Sequence, residues 1–521
     1  MRDATLDSRA HAACLKALQR QLEQATGQPV SRIETHISSL LLTAHTVYKL
    51  KKPVRLPFVD FSTPQQREHF CREELRLNRR LAPQLYLDVV PITGTFDAPH
   101  LGSDGGDAID HAVLMRRFPA DALLSQRLAD GRLEPQLIDR LAHKLARFHA
   151  TAPCAAPNSG FATPASVIGR VHAVLKQLGA SGAEVHSLQQ WVAVHGTALR
   201  PAFEQRRATQ AIRECHGDLH LSNTVVLDDG EVTAFDCIEF DPALRWIDVM
   251  DDLAFATMDL KARGRADLAW RLLDVYLQER GDHAGLQVLR FYEVGRALVR
   301  ALVARLAPAP PAVDYLACAH HLAEPETRSP GLAVMCGLSG SGKSALAGAL
   351  LERAGAVRLR SDVERKRLFG LTPLQRSHEA GLDLYTPRAT QDTFDRLRDL
   401  ARQALLAGYP VIVDAAFLQR AERETFRRLA DELRLPFTVI RCTADVPTLR
   451  ERVARRADEG VDPSEATTEV LEWQIRTQEA PEPAEQGWTL GIDTSQPVDV
   501  ADVLARWRAV ASRSGRSGAH A

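Results

Sequence analysis

The chain has 521 residues, which is too many for one ordinary hydrophobic core, so two or three domains are expected. Apolar residues make up 45% and charged residues 25%, a globular composition. The formal net charge of −1 excludes a global field that attracts nucleic acid or anionic lipid, and no apolar run is long enough to span a membrane. Because the N-terminus also lacks the apolar core of a cleavable leader, we expect a cytoplasmic protein that does not contact membranes.

Eight cysteines are scattered along the chain without a Cys-x-x-Cys pair. This spacing does not suit a structural metal site, and a disulfide framework is not expected in so long a chain. Cys215, Cys237 and Cys336 adjoin the motifs described below and are interpreted as buried filler.

The first part of the chain begins with strands and continues with helices. In chain order the pattern predicts two strands joined by a turn over 35–51, a helix over 64–81, a hairpin-like pair over 89–95 and 112–117, and mostly amphipathic helices from 134 to 305, interrupted by short strands at 224–227 and 232–236. A strand-rich start followed by a helical remainder predicts two lobes.

The sequence HGDLHLSN at 216–223 has the spacing of a kinase catalytic loop. In such a loop an aspartate orients the acceptor hydroxyl, and an asparagine five residues later binds metal. A predicted hairpin follows, and Asp236 stands directly after it, where a second metal-binding aspartate is required. The two motifs at this separation are a much stronger signal than either alone.

Together these motifs resemble the aminoglycoside phosphotransferase family over about residues 30–305. The resemblance implies a bilobal protein-kinase-like fold in which Asp218 is the catalytic base and Asn223 and Asp236 hold Mg²⁺. It also implies that Asp252 anchors the catalytic loop, a structural role, and that His216 is an oriented core histidine rather than an acid or base.

The kinase fold also requires a strand lysine, paired with a helix glutamate, to hold the nucleotide phosphates. Lys49 is the best candidate, with Glu74 or Glu73 as its partner. Lys51 shares the strand face of Lys49 because the side-chain period of a strand is two. We nevertheless interpret Lys51 and Lys52 as a solvated strand end.

One feature departs from the kinase pattern. Between residues 35 and 47 the sequence has no glycine-rich phosphate cover, only HISSLLLTAHT. Ser38 and Ser39 are the polar side chains there that could contact phosphate. Nucleotide binding by the upper lobe is therefore less firmly indicated than the catalytic loop.

Proline-rich segments at 307–311 and 324–330 separate this part from the next, and we place the domain boundary near residue 328. The prediction is thus a first domain over 1–328, with its motifs within 35–255, and a second domain over 329–511. The polar tail 512–521 is expected to be disordered. In the second domain apolar strands at 332–336, 411–413 and 437–441 alternate with helical segments, which predicts an α/β domain with a parallel sheet flanked by helices.

The second domain carries a complete P-loop. It runs from Gly337 through Ser339, Gly340, Ser341 and Gly342 to Lys343 and Ser344, after a strand and before a helix-forming run. A glycine-rich loop lets backbone N–H groups and a helix N-terminus surround the β-phosphate. Lys343 is predicted to reach the β- and γ-phosphates, and Ser344 to hold Mg²⁺.

Further residues of this half resemble small P-loop kinases related to gluconate kinase, polynucleotide 5′-kinase and zeta-toxin kinases, over about 331–510. In that group an Asp-x-x-Arg element places the base and a cation near the acceptor, which matches Asp362 and Arg365. Asp414, which closes the strand YPVIVD, resembles the Walker B acid that orients Mg²⁺. Arg452 and Arg456 share one face of a helix that resembles the lid of these kinases.

The leading hypothesis is a tandem phosphotransferase in which both domains use ATP or GTP with Mg²⁺ to phosphorylate hydroxyl groups of small molecules. One alternative is a nucleotide-responsive regulatory protein whose P-loop domain is an ATPase switch. Another is a nucleic-acid end kinase, for which Arg358, Arg360, Arg365, Lys366 and Arg367 could form a basic groove. The sequence makes no prediction of the oligomeric state.

Aminoglycosides are only weakly indicated as acceptors for the first domain. Enzymes that bind polycationic antibiotics generally present an acidic acceptor cleft, and Asp248, Asp251, Asp252 and Asp259 lie near the expected region. Resemblance of fold does not determine the substrate.

Overall fold

The structure is a computed structural model. It describes residues 2–56, 59–102, 106–179, 183–306, 312–324, 331–459 and 462–517. The predicted proline-rich segments, part of the turn near residue 104 and the end of the predicted tail lie outside the described residues. Among the described residues, no helix has the length and apolarity that crossing a membrane requires.

The described chain contains seventeen strands and nineteen α-helices. The strands are β1 (Ser31–Glu34), β2 (Ser38–Leu42), β3 (Thr46–Lys51), β4 (Arg55–Leu56), β5 (Val59–Asp60), β6 (Tyr86–Gly94), β7 (Pro99–Leu101), β8 (Asp110–Arg116), β9 (Ile212–Glu214), β10 (Thr224–Val226), β11 (Val232–Ala234), β12 (Trp246–Asp248), β13 (Leu332–Cys336), β14 (Val357–Arg360), β15 (Val411–Asp414), β16 (Phe437–Thr443) and β17 (Thr489–Asp493). The α-helices are α1 (Arg2–Thr26), α2 (Pro64–Asn78), α3 (Leu124–Ala129), α4 (Pro135–Thr151), α5 (Pro164–Leu178), α6 (Ala183–Ala198), α7 (Arg200–Ala208), α8 (Pro242–Arg245), α9 (Val249–Ala262), α10 (Ala266–Arg280), α11 (Leu286–Leu306), α12 (Tyr315–Ala323), α13 (Lys343–Ala354), α14 (Ser361–Leu368), α15 (Pro387–Leu406), α16 (Arg420–Leu433), α17 (Val446–Glu459), α18 (Thr468–Thr477) and α19 (Val500–Ser517).

The chain divides into two compact units. The first contains Met1–Arg170 and Phe203–Ala256, and the second contains Val171–Ala202 and Thr257–Ala521. The division by contacts thus differs from the boundary near residue 328 that the proline-rich segments predict. Within the second unit, α10 packs directly against α13, the helix that follows the P-loop.

The first unit is built on a six-stranded sheet in the order β1-β2-β3-β8-β6-β7. Its β2–β3 pair is the predicted pair of strands over 35–51, and β6 and β8 are the predicted hairpin-like pair, although β7 lies between them in the chain. Helix α2 packs on β8 and begins at Thr63, whose side chain accepts the backbone N–H of Gln66 in a capping box. This arrangement places β3 and α2 side by side, as a lysine–glutamate pair requires.

The second unit contains a five-stranded parallel sheet in the order β14-β15-β13-β16-β17. Every residue of β13 is buried, which explains its continuous apolar sequence. Because β13 is the central strand, the loop that follows it leaves the carboxyl edge of the sheet between two crossovers, where α/β folds bind ligands. The sequence did not predict β17.

Two expectations are corrected. Lys51 is fully buried rather than a solvated strand end, because it contacts the carboxylates of Glu74 and Glu239. Lys52 is half-buried and pairs with Glu34. The tail predicted to be disordered is helical at its start, since α19 extends to Ser517.

Candidate active sites

The first candidate site is organised around Lys49 on β3. Its Nζ donates a hydrogen bond to Glu74 Oε1 at 2.7 Å and another to Asp236 Oδ1. Burial alone lowers the pKa of Lys49, but the carboxylates of Asp236 and Glu74 outweigh burial and hold this pKa well above its ordinary value. The predicted partner Glu74 therefore lies at the lysine, whereas Glu73 binds Arg76 and Arg245.

Lys51 completes a buried ionic cluster beside this lysine. Its Nζ contacts Glu74 Oε2 at 2.7 Å and also Glu239. Burial raises the pKa of Glu74, but Lys49 and Lys51 together lower it to about 2, so the carboxylate stays ionised. Burial raises the pKa of Glu239. The sequence missed Glu239, which lies 188 residues from Lys51 in the chain.

The catalytic-loop motif folds as its spacing predicts. Asn223 Nδ2 donates to the backbone oxygen and to Oδ2 of Asp218, both at 3.0 Å. His220 Nε2 lies 3.4 Å from the same Oδ2. The carboxylate of Asp218 is thereby oriented, and it remains partly exposed, as a group that must meet an acceptor hydroxyl should be.

Asp252 anchors this loop from below. It is fully buried and accepts the backbone N–H groups of His216 at 3.0 Å and Gly217 at 2.8 Å. Burial raises the pKa of Asp252, but the hydrogen bond from His149 and the nearby imidazoles lower it to about 2. Gly217 has a φ of +87°, and a Cβ there would lie 2.7 Å from the carbonyl oxygen of Leu244, so only glycine fits.

Asp236 has a left-handed backbone, with φ of +65°, which is uncommon for a residue other than glycine. Its N–H is held by the hydroxyl oxygen of Tyr86 at 3.1 Å. Strain of this kind is typical of functional sites, where the surrounding contacts maintain it. It lets the Asp236 carboxylate reach Lys49 while 43% of the side chain stays exposed.

The other residues considered for this half are buried and, with one exception, have structural partners. Ser39 Oγ donates to Glu34 Oε2 at 2.9 Å, whereas Ser38 Oγ has no hydrogen-bond partner among the described residues. The four aspartates considered for an acidic cleft are all buried. Their partners are Arg206 for Asp248, Arg170 for Asp251, the catalytic loop for Asp252, and Arg263 with Tyr315 for Asp259.

A group that could geometrically hold a metal ion, within the part of the chain that the structure describes, is His149, Cys215 and Asp252. All three are buried and belong to the anchor below the catalytic loop. Burial raises the pKa of the Cys215 thiol well above its ordinary value, which opposes the thiolate that a metal needs. We therefore interpret this group as part of the anchor.

The second candidate site is the P-loop between β13 and α13. Gly337, Gly340 and Gly342 all have positive φ angles. A Cβ on Gly337 would lie 2.3 Å from the carbonyl oxygen of Cys442, and one on Gly340 would lie 2.7 Å from that of Leu449. The glycines are thus required both by backbone conformation and by close approach of neighbouring strands and helices.

Ser344 and Asp414, which the sequence predicts to hold Mg²⁺, are in direct contact. Ser344 Oγ donates to Asp414 Oδ1 at 3.1 Å, and Asp414 is nearly fully buried at the end of β15. The other carboxylate oxygen, Oδ2, is buried without a hydrogen-bond donor among the described residues, although Arg360 Nε lies 3.5 Å away. A buried carboxylate oxygen beside a hydroxyl is the ligand type that Mg²⁺ prefers, so these residues fit the ion.

Two clefts meet at the P-loop. One, of about 630 Å³, is lined by the outer side of the loop, by Arg452 and by Thr494. The other, of about 460 Å³, contains Asp362, Arg365 and Asp414. The residues that line both clefts are Lys343, Ser344 and Arg456.

Lys343 lies where the clefts join. Its Nζ donates to the backbone oxygen of Leu338 at 2.8 Å, and burial lowers its pKa. Asp362 is the second residue of α14, after β14, and lies half-buried in the smaller cleft. Arg365 lies one turn further along the same helix, and its Nη1 donates to the Leu384 carbonyl at 2.8 Å.

The two predicted lid arginines have different contacts. Arg452 donates to the backbone oxygens of Gly340, at 3.3 Å, and Thr494, at 2.7 Å, so it fixes the P-loop to the chain after β17. Arg456 donates a hydrogen bond to the Ala466 carbonyl at 3.3 Å and lines both clefts. Arg456 is therefore better placed than Arg452 to contact a transferring phosphate.

Sequence reasoning missed the contacts that three residues make in this site. Gln474 on α18 accepts the backbone N–H of Ser339 at 2.8 Å. Thr494 donates to the Ser341 carbonyl at 2.9 Å. Arg358 donates to the Ser344 carbonyl at 3.1 Å and to Asp274 on α10 at 2.7 Å.

The cations considered for a nucleic-acid groove are mostly paired with carboxylates. The pairs are Arg358 with Asp274, Arg360 with Asp414 and Asp462, Lys366 with Glu465, and Arg367 with Glu364. Charges neutralised in this way attract phosphate backbones weakly.

Two protein families match the chain. Residues 44–292 match the family described as "Phosphotransferase enzyme family", and residues 332–481 match the family described as "AAA domain". Uncharacterized proteins of Mycobacterium tuberculosis (strain H37Rv) and Mycobacterium bovis are each 32% identical to this chain over 454 residues, which is 84% of this chain and 88% of theirs. The chain belongs to their family. Its two domains are of kinase type, which confirms both resemblances and the predicted fold classes.

Solved structures are similar to parts of the chain. A gluconokinase from Sinorhizobium meliloti 1021 is 23% identical, with a TM-score of 0.28, over 36% of this chain and 96% of its own. A choline/ethanolamine kinase family protein from Mesorhizobium loti is 13% identical, with a TM-score of 0.36, over 59% of this chain and 92% of its own.

Proposed function

We propose that this protein is an ATP-dependent tandem phosphotransferase, in which each domain transfers the γ-phosphate of ATP to a hydroxyl group of a small molecule. The observation that carries this proposal is the junction of two clefts at Lys343, Ser344 and Arg456. A kinase needs separate spaces for donor and acceptor that open onto one phosphate position. A simple ATPase has no need of the second cleft.

The reaction proposed for the P-loop domain uses Asp362 as general base. The acceptor oxygen attacks the γ-phosphorus, the bond from that phosphorus to the β,γ-bridging oxygen breaks, and ADP leaves. The proton of the acceptor hydroxyl passes to the Asp362 carboxylate. Lys343 and Arg456 lie at the junction, where their charges stabilise the transferring phosphoryl group.

Ser344 and Asp414 are the residues proposed to hold Mg²⁺ in this domain, and Asn223 and Asp236 are proposed for the first domain. The ion neutralises charge on the β- and γ-phosphates when nucleotide is bound. Its fit rests on the buried Oδ2 of Asp414 and on the partly exposed carboxylate of Asp236.

The first domain is proposed to act by the same chemistry with other residues. Asp218 is the general base, held in orientation by Asn223 and His220. Lys49, fixed by Glu74, is proposed to hold the α- and β-phosphates. Lys49 also contacts Asp236, and bound nucleotide and metal would replace this contact.

The test uses γ-labelled ATP, Mg²⁺ and a small-molecule extract, with wild-type protein and the variants Asp218→Asn and Lys343→Ala. If both domains are kinases, labelled products should appear, and each variant should remove a different product. A single product removed by both variants would indicate successive phosphorylation of one molecule. Label released only as free phosphate, dependent on Lys343 alone, would overturn the proposal in favour of a regulatory ATPase, a function that the two kinase-type domains do not favour.

A further inference from the structure

The smaller cleft of the P-loop domain, which contains Asp362, has an apolar side. Phe394 and Phe417 pack edge to face with ring centroids 5.3 Å apart, and both line the cleft. Leu418, Val470 and Trp473 extend the same surface. Phe417 holds a left-handed backbone, with φ of +48°, while its carbonyl oxygen accepts a hydrogen bond from Arg423 at 3.1 Å. A bulky residue adopts this conformation only when its surroundings impose it.

This surface does not suit an acceptor with hydroxyl groups on every side. A hydroxyl facing Phe394 or Leu418 would lose its hydrogen bonds to water without gaining a partner, which is unfavourable. An apolar or planar body would instead gain by leaving water.

Trp473 supports this conclusion. It lines the cleft, yet 55% of it is exposed. A large aromatic side chain that remains exposed at the edge of a cleft is typical of a surface that a ligand covers. A planar ligand would stack on it with little conformational cost.

Arg365 provides the polar feature on the other side. It is only 7% exposed, and its guanidinium packs over the ring of Tyr385 at 5.2 Å. Nη1 is used by the Leu384 carbonyl and by Thr390, but Nε is buried and has no acceptor among the described residues. A buried guanidinium N–H without an acceptor is costly, and a carboxylate or phosphate oxygen of a ligand would satisfy it.

We propose, resting on the function proposed above, that the acceptor of the P-loop domain is a compact hydroxyl compound with a planar or apolar body and an anionic group. The anionic group binds Arg365, the body contacts Phe394 and Trp473, and the hydroxyl lies at Asp362. Asp362 and Arg365 are three residues apart on α14, so their Cβ atoms are about 5–6 Å apart. Both residues line the same cleft of about 460 Å³, which limits the acceptor to a compact molecule.

The experiment compares three probes on the full chain in the presence of Mg²⁺ and ATP. The first probe, para-hydroxymethylbenzoate, has a planar body, a carboxylate and a primary hydroxyl. Gluconate keeps the carboxylate but is polyhydroxylated, and benzyl alcohol keeps the ring and hydroxyl but lacks the anion. Binding is measured by ligand-observed NMR, and transfer by the appearance of phosphorylated probe.

We expect para-hydroxymethylbenzoate to bind about tenfold or more tightly than either other probe. Arg365→Gln should reduce its affinity to that of benzyl alcohol, and Trp473→Ala should weaken it more than Trp473→Phe does. Arg388→Gln is the matched control, because the Arg388 side chain is 91% exposed on α15. Since Trp473 is exposed, its variants test the proposal even if Arg365→Gln proves unstable.

The inferred acceptor class would be overturned if gluconate bound more tightly than para-hydroxymethylbenzoate. It would also be overturned if wild type and both Trp473 variants bound para-hydroxymethylbenzoate equally well. Lys343-dependent ATP binding is measured in the same samples. If gluconate is phosphorylated and ATP binding is intact, the proposed function is supported and only the inferred acceptor class is wrong. ATP binding without transfer to any hydroxyl compound, in this test and in the extract, would defeat the proposed function itself.

Discussion

The backbone N–H of Ser339 donates a hydrogen bond to the side-chain oxygen of Gln474 at 2.8 Å. Gln474 is only 8% exposed and lies on α18, 135 residues after Ser339. Both residues line the smaller cleft. A side chain from the helix that follows α17 therefore fixes the P-loop where the loop lines this cleft.

This contact predicts that a charge at position 474 harms nucleotide binding more than loss of the side chain does. Gln474→Glu keeps an acceptor for the Ser339 N–H but places a carboxylate beside the phosphates. We expect its ATP affinity to fall about tenfold or more, whereas Gln474→Ala should cost less than about 1.5 kcal/mol of binding. Titration with ATP checks this, with Gln478→Glu, exposed one turn later, as control. Equal losses for both Gln474 variants would contradict the electrostatic explanation.

Local patterns predicted much of the fold. The apolar run Leu332–Cys336 predicted β13 with its observed bounds, and the period of two placed Lys49 and Lys51 on one face, where both reach Glu74. The predicted polar tail begins within α19, which extends to Ser517.

The burial of Lys51 could not be predicted in the same way. A lysine near a strand end is ordinarily solvated, and the residue that reverses this expectation, Glu239, lies 188 positions away. The contact of Gln474 with Ser339 and that of Arg358 with Ser344 were missed for the same physical reason, since both are fixed by tertiary packing rather than by spacing. Asp218 and Asn223, by contrast, stand five residues apart in one motif, so their contact could be predicted from the sequence alone.

Replacement of Asp362 is expected to reduce phosphoryl transfer by the P-loop domain without removing its hydrolysis of ATP. Asp362→Asn removes the proposed base but keeps the side-chain volume, so phosphoryl transfer should fall by about 10²–10⁴ while ATP affinity changes little. Asp392→Asn, at a half-exposed position on α15, should leave transfer unchanged. Both activities are followed with γ-labelled ATP. Transfer that survives in Asp362→Asn would exclude this residue as the base.

Lys51 is predicted to stabilise the first unit rather than to act on nucleotide. Lys51→Met leaves the carboxylates of Glu74 and Glu239 buried with one cation fewer, at an expected cost of about 3–5 kcal/mol in the free energy of unfolding. Adding Glu239→Gln should recover part of this loss, because it removes one of the two buried charges. Denaturant unfolding measures both effects, with Lys16→Met, exposed on α1, as control. A double variant as unstable as Lys51→Met would contradict the ionic explanation.

The buried His11 is expected to make the stability of the folded protein depend on pH. Burial and then Arg67 lower its pKa from 6.5 to about 4, so the folded protein keeps this imidazole neutral where the unfolded chain is protonated. The unfolded state thus binds more protons between these values, and stability must fall as the pH drops from about 6.5 to about 4, by at most about 3 kcal/mol.

The check compares thermal unfolding at pH 7.5 and pH 5. His11→Gln should lose less stability between these pH values than wild type does, because the neutral side chain takes no proton in either state. His100→Gln, at an exposed position on β7, should behave as wild type. An unchanged pH dependence in His11→Gln would show that other groups, such as the buried His216, cause the loss.

Arg358 is predicted to couple α10 to nucleotide binding. It lies between the carboxylate of Asp274, at 2.7 Å, and the backbone oxygen of Ser344, at 3.1 Å. Burial lowers the pKa of this guanidinium, but Asp274 outweighs burial and raises the pKa, so the link is ionic. Since Ser344 is a proposed metal ligand, movement of its backbone should weaken binding of ATP with Mg²⁺ more than binding of ATP alone.

We expect Arg358→Met to weaken metal-dependent ATP binding about tenfold, a difference of about 1.4 kcal/mol. Asp274→Asn, which keeps a hydrogen-bond acceptor for the guanidinium, should have a smaller effect. Arg353→Met, exposed on α13, serves as control. If Arg358→Met lowers the unfolding temperature but leaves the metal dependence of ATP binding intact, the arginine only holds α10 in place, and the coupling is refuted.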